Sequence, residues 1–255
     1  CGRLWRDLTW MCSTEKEATR LKRLGGRAVF CHHNLWIDEQ AFTIRDKPKR
    51  WDAVYNAVLL PYKRHHLASQ VRSLRLVTGT VDAVEDLAQH GCGHAEVNRE
   101  YLSRDQVAEA LNECRCGLAL SAEEGGMLAC TEYLLCGLPV VSTRSLGGRS
   151  AWFTPHNHVV VEDEPGDVAR GVAQVIREQP DRQRIREDAI AMMKLHRQTL
   201  AQTVAGSCGQ CPFDPLVVTG AWLRSRFVPI QVLPEFLQSF SHGQFQRREL
   251  IGMAA

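Results

Sequence analysis

The stretch from Cys116 to Arg149, CGLALSAEEGGMLACTEYLLCGLPVVSTRSLGGR, limits what this chain can fold into more than any other. Gly117 to Leu120 is an apolar run short enough for a buried strand. A loop holding Ser121, Glu123, Glu124, Gly125 and Gly126 follows. Met127 to Cys136 then carries apolar residues at helical spacing (Met127, Leu128, Leu134, Leu135) and stops at Gly137, a helix-ending residue. Leu138 to Thr143 reads as a second buried strand, with Pro139 at its start where the ladder loses no donor. Strand, glycine loop, helix, strand: this order makes a βαβ unit. Such units place ligands beyond the carboxyl ends of their strands, where a helix N-terminus offers N–H groups to an anion.

The rest of the chain is compatible with a core built on that unit. At 255 residues it can bury a sizeable interior, and 44% hydrophobic with 24% charged residues is an ordinary globular composition. A net charge of +2 argues neither for nor against an acidic partner, and no nucleic acid partner is expected. No apolar run approaches the ~20 residues of a membrane helix, and the N-terminus has no signal-peptide core. Ten cysteines are many, but they are scattered. Cys116, Cys130 and Cys136 fall on apolar faces, where a free thiol acts as a small hydrophobe. Cys208 and Cys211 form a CxxC without a second one, and the histidine pairs lack zinc spacing. We expect no metal.

The segments around the βαβ unit alternate in the same way. Ser13 could cap a helix carrying Glu15, Glu17, Leu21 and Leu24, which ends at Gly25-Gly26. Ala28 to Phe30 is a short strand, followed by His33-Asn34-Leu35-Trp36-Ile37-Asp38. Asp52 to Leu60 is a buried-strand candidate, followed by Lys63, Arg64, His65 and His66. Ser73 to Thr78 is the next strand, and Val81 to His90 reads as a helix. Ser103 opens a helix from Arg104 to Cys114. His158 to Glu162 is the last strand signal, and helices over 167–178 and 181–205 follow. Alternating strands and helices imply a three-layer α/β domain with a mainly parallel sheet. The tail, 206–255, is rich in Pro, Phe, Gln and Arg. Its Trp222, Phe227, Phe236, Phe240 and Phe245 are expected to cover the preceding domain or a partner.

Glu124 and Glu132 are separated by seven residues, and Cys136-Gly137-Leu138-Pro139-Val140-Val141-Ser142-Thr143 follows them. This pattern resembles the E-x7-E region of retaining glycosyltransferases of the GT-B architecture (the group 1 family), over roughly residues 10–205. Gly126 stands where the family has Phe, and Met127 where it has a second Gly. Val58 occupies the family's phosphate-binding Arg position, while Lys63 falls on its Lys position. The resemblance implies a Rossmann-like donor domain at 46–205, with 1–45 the remnant of an N-terminal domain and hinge.

The same resemblance implies the chemistry. Glu124 and Lys63 would be catalytic, Glu124 touching sugar hydroxyls and Lys63 the diphosphate of the donor. Glu132 would hold the ribose hydroxyls, and Ser121 and the amides of Gly125, Gly126 and Met127 would complete the donor site. Arg64 could supply the charge lost at Val58, because its fork suits phosphate oxygens. The implied activity is transfer of a sugar from a nucleotide-sugar to a glycan, lipid or other acceptor. It needs no cofactor beyond the donor substrate. The implied place is cytoplasmic, in part at the inner face of a membrane. Two other readings stay open: a non-catalytic nucleotide-sugar-binding module, consistent with Val58, and a sugar-nucleotide epimerase of the same architecture.

Overall fold

The computed structural model describes residues 8–79, 87–211 and 213–227. The chain opens with strand β1 (Thr9–Cys12), helix α1 (Glu15–Arg23) and strand β2 (Arg27–Phe30), the two strands running parallel. Thr14, not Ser13, caps α1: its hydroxyl accepts the Glu17 amide at 3.0 Å. Glu17 reaches back to accept the Ser13 amide at 3.2 Å, so Ser13 contributes its backbone and the cap falls one residue later. His33–Trp36 is a buried 3₁₀ turn.

Strand β3 (Trp51–Asn56) is shorter than the sequence predicts. The chain leaves the ladder after Asn56 and enters 3₁₀ turns at Pro61–Lys63 and His65–Ala68, the first opened by Pro61. Strands β4 (Leu74–Val77) and β5 (Glu96–Val97) follow. Ser103 caps helix α2 (Arg104–Asn112) with a reciprocal bond to Gln106, and Cys114 is already the start of β6 (Cys114–Ala119). The helix expected at 81–90 falls mostly outside the described residues.

The βαβ unit is then β6, the short strand β7 (Glu123–Glu124), helix α3 (Leu128–Leu135) and strand β8 (Val140–Thr143). Gly137 takes φ +68° after α3. Its amide bonds Leu134 O and that of Leu138 bonds Tyr133 O, the double bond that ends helices at glycine. Strand β9 (Leu146–Gly147) pairs with β7, a 3₁₀ turn spans Arg149–Trp152, and β10 (His158–Val161) closes the strand series. Helices α4 (Pro165–Glu178), α5 (Arg182–Cys208) and α6 (Gly220–Phe227) complete the described chain.

Six strands form one parallel sheet in the order β10-β8-β6-β3-β4-β5. Register shows helices on both faces. Gly117 pairs with Val140, and a Cβ on Gly117 would meet the Tyr133 ring of α3 at 2.2 Å. A Cβ on Gly171 of α4 would instead meet Val141, the next residue along β8, at 2.9 Å. Successive strand residues point to opposite faces, so α3 and α4 lie on opposite sides. The three-layer, Rossmann-like α/β fold expected from the sequence is the fold observed. Strands buried on both faces read as continuous apolar runs, as Leu118, Ala119, Val140 and Val141 do.

From β3 the sheet grows one way through β4 and β5, and the other way through β6, β8 and β10. The reversal lies between β3 and β6, where the carboxyl ends of open parallel sheets leave a crevice. Outside this sheet, α5 packs on α3 and returns to β2 and the His33–Trp36 turn. Trp222 of α6 joins Phe213 at 5.9 Å between ring centroids, over a cluster containing Leu35 and Leu200. This part of the tail covers the preceding chain; Phe236, Phe240 and Phe245 lie outside the described residues. Among the described residues no helix is long and apolar enough to cross a membrane.

Candidate functional site

Two arginines fasten the strand ends at the crevice. Arg149 is fully buried and donates to the carbonyls of Ser121 at 2.7 Å and Thr143 at 2.6 Å, tying the end of β6 to that of β8. Burial holds its pKa below the usual guanidinium value, with nearby Glu124 opposing that fall. Arg64 donates to Leu120 O at 2.6 Å, to the Thr143 hydroxyl at 2.7 Å and to Asp163 at 2.7 Å. Its fork is therefore turned to strand-end carbonyl, hydroxyl and carboxylate groups, an arrangement the sequence did not foreshadow.

Lys63 and Glu124 meet directly. The 3₁₀ turn after Pro61 carries Lys63 over the switch point, and its ammonium is ion-paired to Glu124 Oε1. The Ser121 hydroxyl donates to the other oxygen of Glu124 at 2.7 Å. Tyr55, wholly buried on β3, donates from its hydroxyl to the Lys63 carbonyl at 2.5 Å and so fixes the turn. Burial pushes the Tyr55 phenol well above its usual pKa, so it stays a neutral donor. His65 lies against the Tyr55 ring, 4.8 Å between centroids, and burial lowers its pKa to about 4. It is a neutral packing group.

Glu132 faces a different neighbourhood. It projects from α3 to the end of β3, where the Asn56 side chain donates to its carboxylate at 3.0 Å. The Asn56 amide donates to the Tyr133 hydroxyl at 2.6 Å, which pins the strand end to α3. Beside Glu132 a cleft of about 390 Å³ is lined by Ile37, Phe42, Asn56, Tyr101, Leu102, Arg104, Val107 and Leu128. Its apolar walls with two or three polar groups suit a flat heterocycle joined to a hydroxyl-bearing ring. Tyr101 is 80% exposed at its rim.

The glycine loop between the two carboxylates is shaped from the N-terminal side. His33 Nε2–H donates to Gly126 O at 3.1 Å, which leaves Nδ1 to accept the Ser13 hydroxyl at 3.2 Å. A Cβ on Gly126 would lie 2.3 Å from the His33 ring, so the residue here must be glycine because imidazole fills its side-chain space. Gly147, at φ +129°, leaves no room for a Cβ against Glu124 O. Asn34 donates to Met127 O at 3.2 Å and to the Thr131 hydroxyl at 2.7 Å, fixing the start of α3, where Met127 makes no side-chain cap. A cleft of about 1280 Å³ opens between α1 and this loop, lined in part by Glu17, Arg20, Gly125, Leu146 and Gly148. Behind the loop, His32, His196 and Trp152 pack together, and burial holds the two imidazoles near pKa 3 and 4.

The site residues expected from the sequence fall in neighbouring places: Glu132 lines the 390 Å³ cleft and Gly125 the 1280 Å³ one, while Met127 is buried at the start of α3. Lys63, Glu124 and Ser121 contact one another, Arg64 joins them through Leu120, and Glu132 stands apart, with the Gly125–Met127 loop between in the chain. Asn56, Tyr55, Tyr101, His33 and Arg149 adjoin these places and were not anticipated. An Asn closing a buried strand was a usable signal for Asn56; nothing in the sequence singled out Arg149. Among the described residues no His, Cys, Asp and Glu cluster could hold a metal. The thiols of Cys116, Cys130 and Cys136 are buried and pushed up, the last two to about 12, consistent with inert packing.

Residues 93–192 match the family model described as glycosyl transferases group 1. No curated protein matches the chain in sequence. In fold it is similar to HepE of Anabaena in complex with UDP, with a TM-score of 0.60 and 17% identity over 77% of this chain and 63% of that one. It is also similar to sucrose-phosphate synthase from Thermosynechococcus elongatus, at TM-score 0.58 and 16% identity over 76% and 59%. The pneumococcal O-GlcNAc transferase GtfA in complex with UDP and GlcNAc gives 0.61 and 13% over 78% and 45%. The chain thus spans less than two thirds of the length of these proteins. At such identities the likeness speaks for the fold.

Proposed function

We propose, on the premise that this chain carries a group 1 glycosyltransferase domain at residues 93–192, that it supplies the donor half of a retaining, GT-B-type sugar transfer site. The domain would run over 46–205, with 1–45 leading in from an acceptor-side domain and 206–255 as a tail. The donor is a nucleotide-sugar, the class of ligand that the solved neighbour HepE holds in its complex with UDP-glucose. The acceptor is a glycan, a lipid or another hydroxyl-bearing molecule, and a lipid acceptor would bring the protein to a membrane face.

One observation supports this reading above the rest: Lys63, Ser121 and Glu124 converge beyond the end of β3, the same strand whose last residue, Asn56, binds Glu132. A nucleotide-sugar is long, and it presents hydroxyls at each end with a dianion between. Glu132 would accept the ribose hydroxyls, the cleft beside it would take the base, and Glu124 would accept from the sugar. When the bond from the sugar carbon to the diphosphate oxygen breaks, negative charge grows on that oxygen. Lys63 and the amides at the start of α3 would stabilise the charge.

Calorimetric titration of the parent and Lys63→Ala with UDP, GDP, ADP and the matching nucleosides tests the reading. At least one nucleoside diphosphate is expected to bind the parent, and Lys63→Ala should weaken it much more than the nucleoside. Equal losses for both, or a parent that binds none of the three, would reject the donor site.

A further inference from the structure

The two groups that this reading assigns to diphosphate and sugar are bound to each other. The Lys63 and Glu124 side chains are 9% and 17% exposed, so their ion pair is shielded from water and salt. Each partner is anchored on one side while the Lys63 side chain keeps its own torsions. Ser121 holds the second oxygen of Glu124, and Tyr55 holds the carbonyl of Lys63.

We infer that this ion pair lets the site distinguish a complete nucleotide-sugar from a bare nucleoside diphosphate. The inference rests on the donor-site reading. A diphosphate arriving alone draws Lys63 away and leaves Glu124 in a shielded place, beside a new anion, with Ser121 as its remaining partner. Like charges so placed oppose binding. A nucleotide-sugar makes the same demand, but its sugar hydroxyls give Glu124 new donors. Glu124 thus penalises the ligand that lacks a sugar, which is also the product left after transfer. When the sugar departs, the pair can re-form and help expel the spent nucleotide.

The test uses inorganic pyrophosphate, a probe independent of base and sugar, with UDP beside it. Calorimetry on the parent and Glu124→Gln should show pyrophosphate binding at least about fivefold tighter to the variant, because the competing carboxylate is gone. Equal or weaker binding by a variant whose melting curve shows it folded overturns the inference and leaves the donor site standing. A parent and variant that both fail to bind pyrophosphate and UDP overturn the two together. A measurement on the parent alone covers a variant that does not fold. The side-chain carboxylate ¹³C resonance of Glu124 should move as pyrophosphate is titrated, since the carboxylate loses its ammonium. A resonance that stays fixed while pyrophosphate binds overturns the inference.

Discussion

Glu124 and Glu132 lie on one loop-and-helix segment, yet the two ends of the site they occupy are built in opposite ways. Around Glu124 the chain has packed charge on charge: Lys63 pairs with it, Arg149 is buried behind it, and Arg64 braces the strand end. Around Glu132 a neutral amide, Asn56, donates to the carboxylate, and the cleft walls are mostly apolar or aromatic with Arg104 among them. The first end is closed on itself. The second is an open cleft. The contrast teaches that a carboxylate's role is set by what neighbouring strands deliver to it, because identical side chains here have different partners and different access. If so, perturbations should separate the two ends.

Acid should produce the largest separation. Burial, then mutual repulsion with its neighbours, lowers His32 to about 3, while burial chiefly lowers His65 and His196 to about 4. All three lie under or behind the Glu124 end. Their folded pKa values are below the unfolded value near 6.5, so the unfolded chain binds more protons between those limits. Stability is therefore intact above pH 6.5 and falls as pH drops toward 4. At pH 5 the loss is at most about 2 kcal/mol for each histidine. Trp152 packs 5.2 Å from His32, so its fluorescence should change on acidification before amide exchange rises at Asn56 and Tyr133. Simultaneous change at both ends would dissolve the distinction.

Arg149→Met tests the same end at neutral pH. It leaves the carbonyls of Ser121 and Thr143 without their donor, while relieving a buried charge of its desolvation cost. We expect the lost bonds to win. Unfolding in urea should show about 2–4 kcal/mol of destabilisation, given about 1.5–3 kcal/mol for each hydrogen bond to a charged group and partial offset from the removed charge. An unchanged midpoint would mean that the strand ends hold without this clamp.

How legible was this contrast before the structure? The βαβ unit was plain, because β6, α3 and β8 are a local apolar pattern punctuated by Gly and Pro. Glu124, Glu132 and Lys63 could be singled out only through the resemblance to the family's motif. Their partners could not. Asn56 reaches Glu132 across 76 positions of chain and Arg149 reaches Ser121 across 28, distances over which periodicity carries no signal. Gly126 was legible only as a departure from the family's Phe. Its reason, the His33 ring in the vacated space, appears once the N-terminal segment is folded against the loop. The charge and fork of Arg64 point in sequence to a spare phosphate ligand, while its three braces come from beyond β6, from β8 and from beyond β10.

The open end calls for smaller effects. Glu132→Gln keeps the shape and removes the charge, so a ribose held by two hydroxyls should be bound roughly tenfold less well, about 1.4 kcal/mol. Glu124→Gln, by the ion-pair argument, should move bare diphosphate affinity the other way. Calorimetry of both variants with the nucleoside diphosphate that binds the parent therefore turns the contrast into a difference of sign. Losses of similar size from both would show the two carboxylates doing one job.

Tyr101 carries the smallest prediction. It is 80% exposed and lines the 390 Å³ cleft together with Asn56 and Glu132. An aromatic side chain left in water gains little from folding, and a base stacked on it would bury both faces of the contact. Tyr101→Ala should then cost about 1 kcal/mol of nucleotide affinity, roughly fivefold, and leave stability almost unchanged. The pyrophosphate affinity should not move, because that probe has no base. Loss of pyrophosphate binding in Tyr101→Ala would place the ring against the phosphates instead, and the open end would no longer be the end that holds the base.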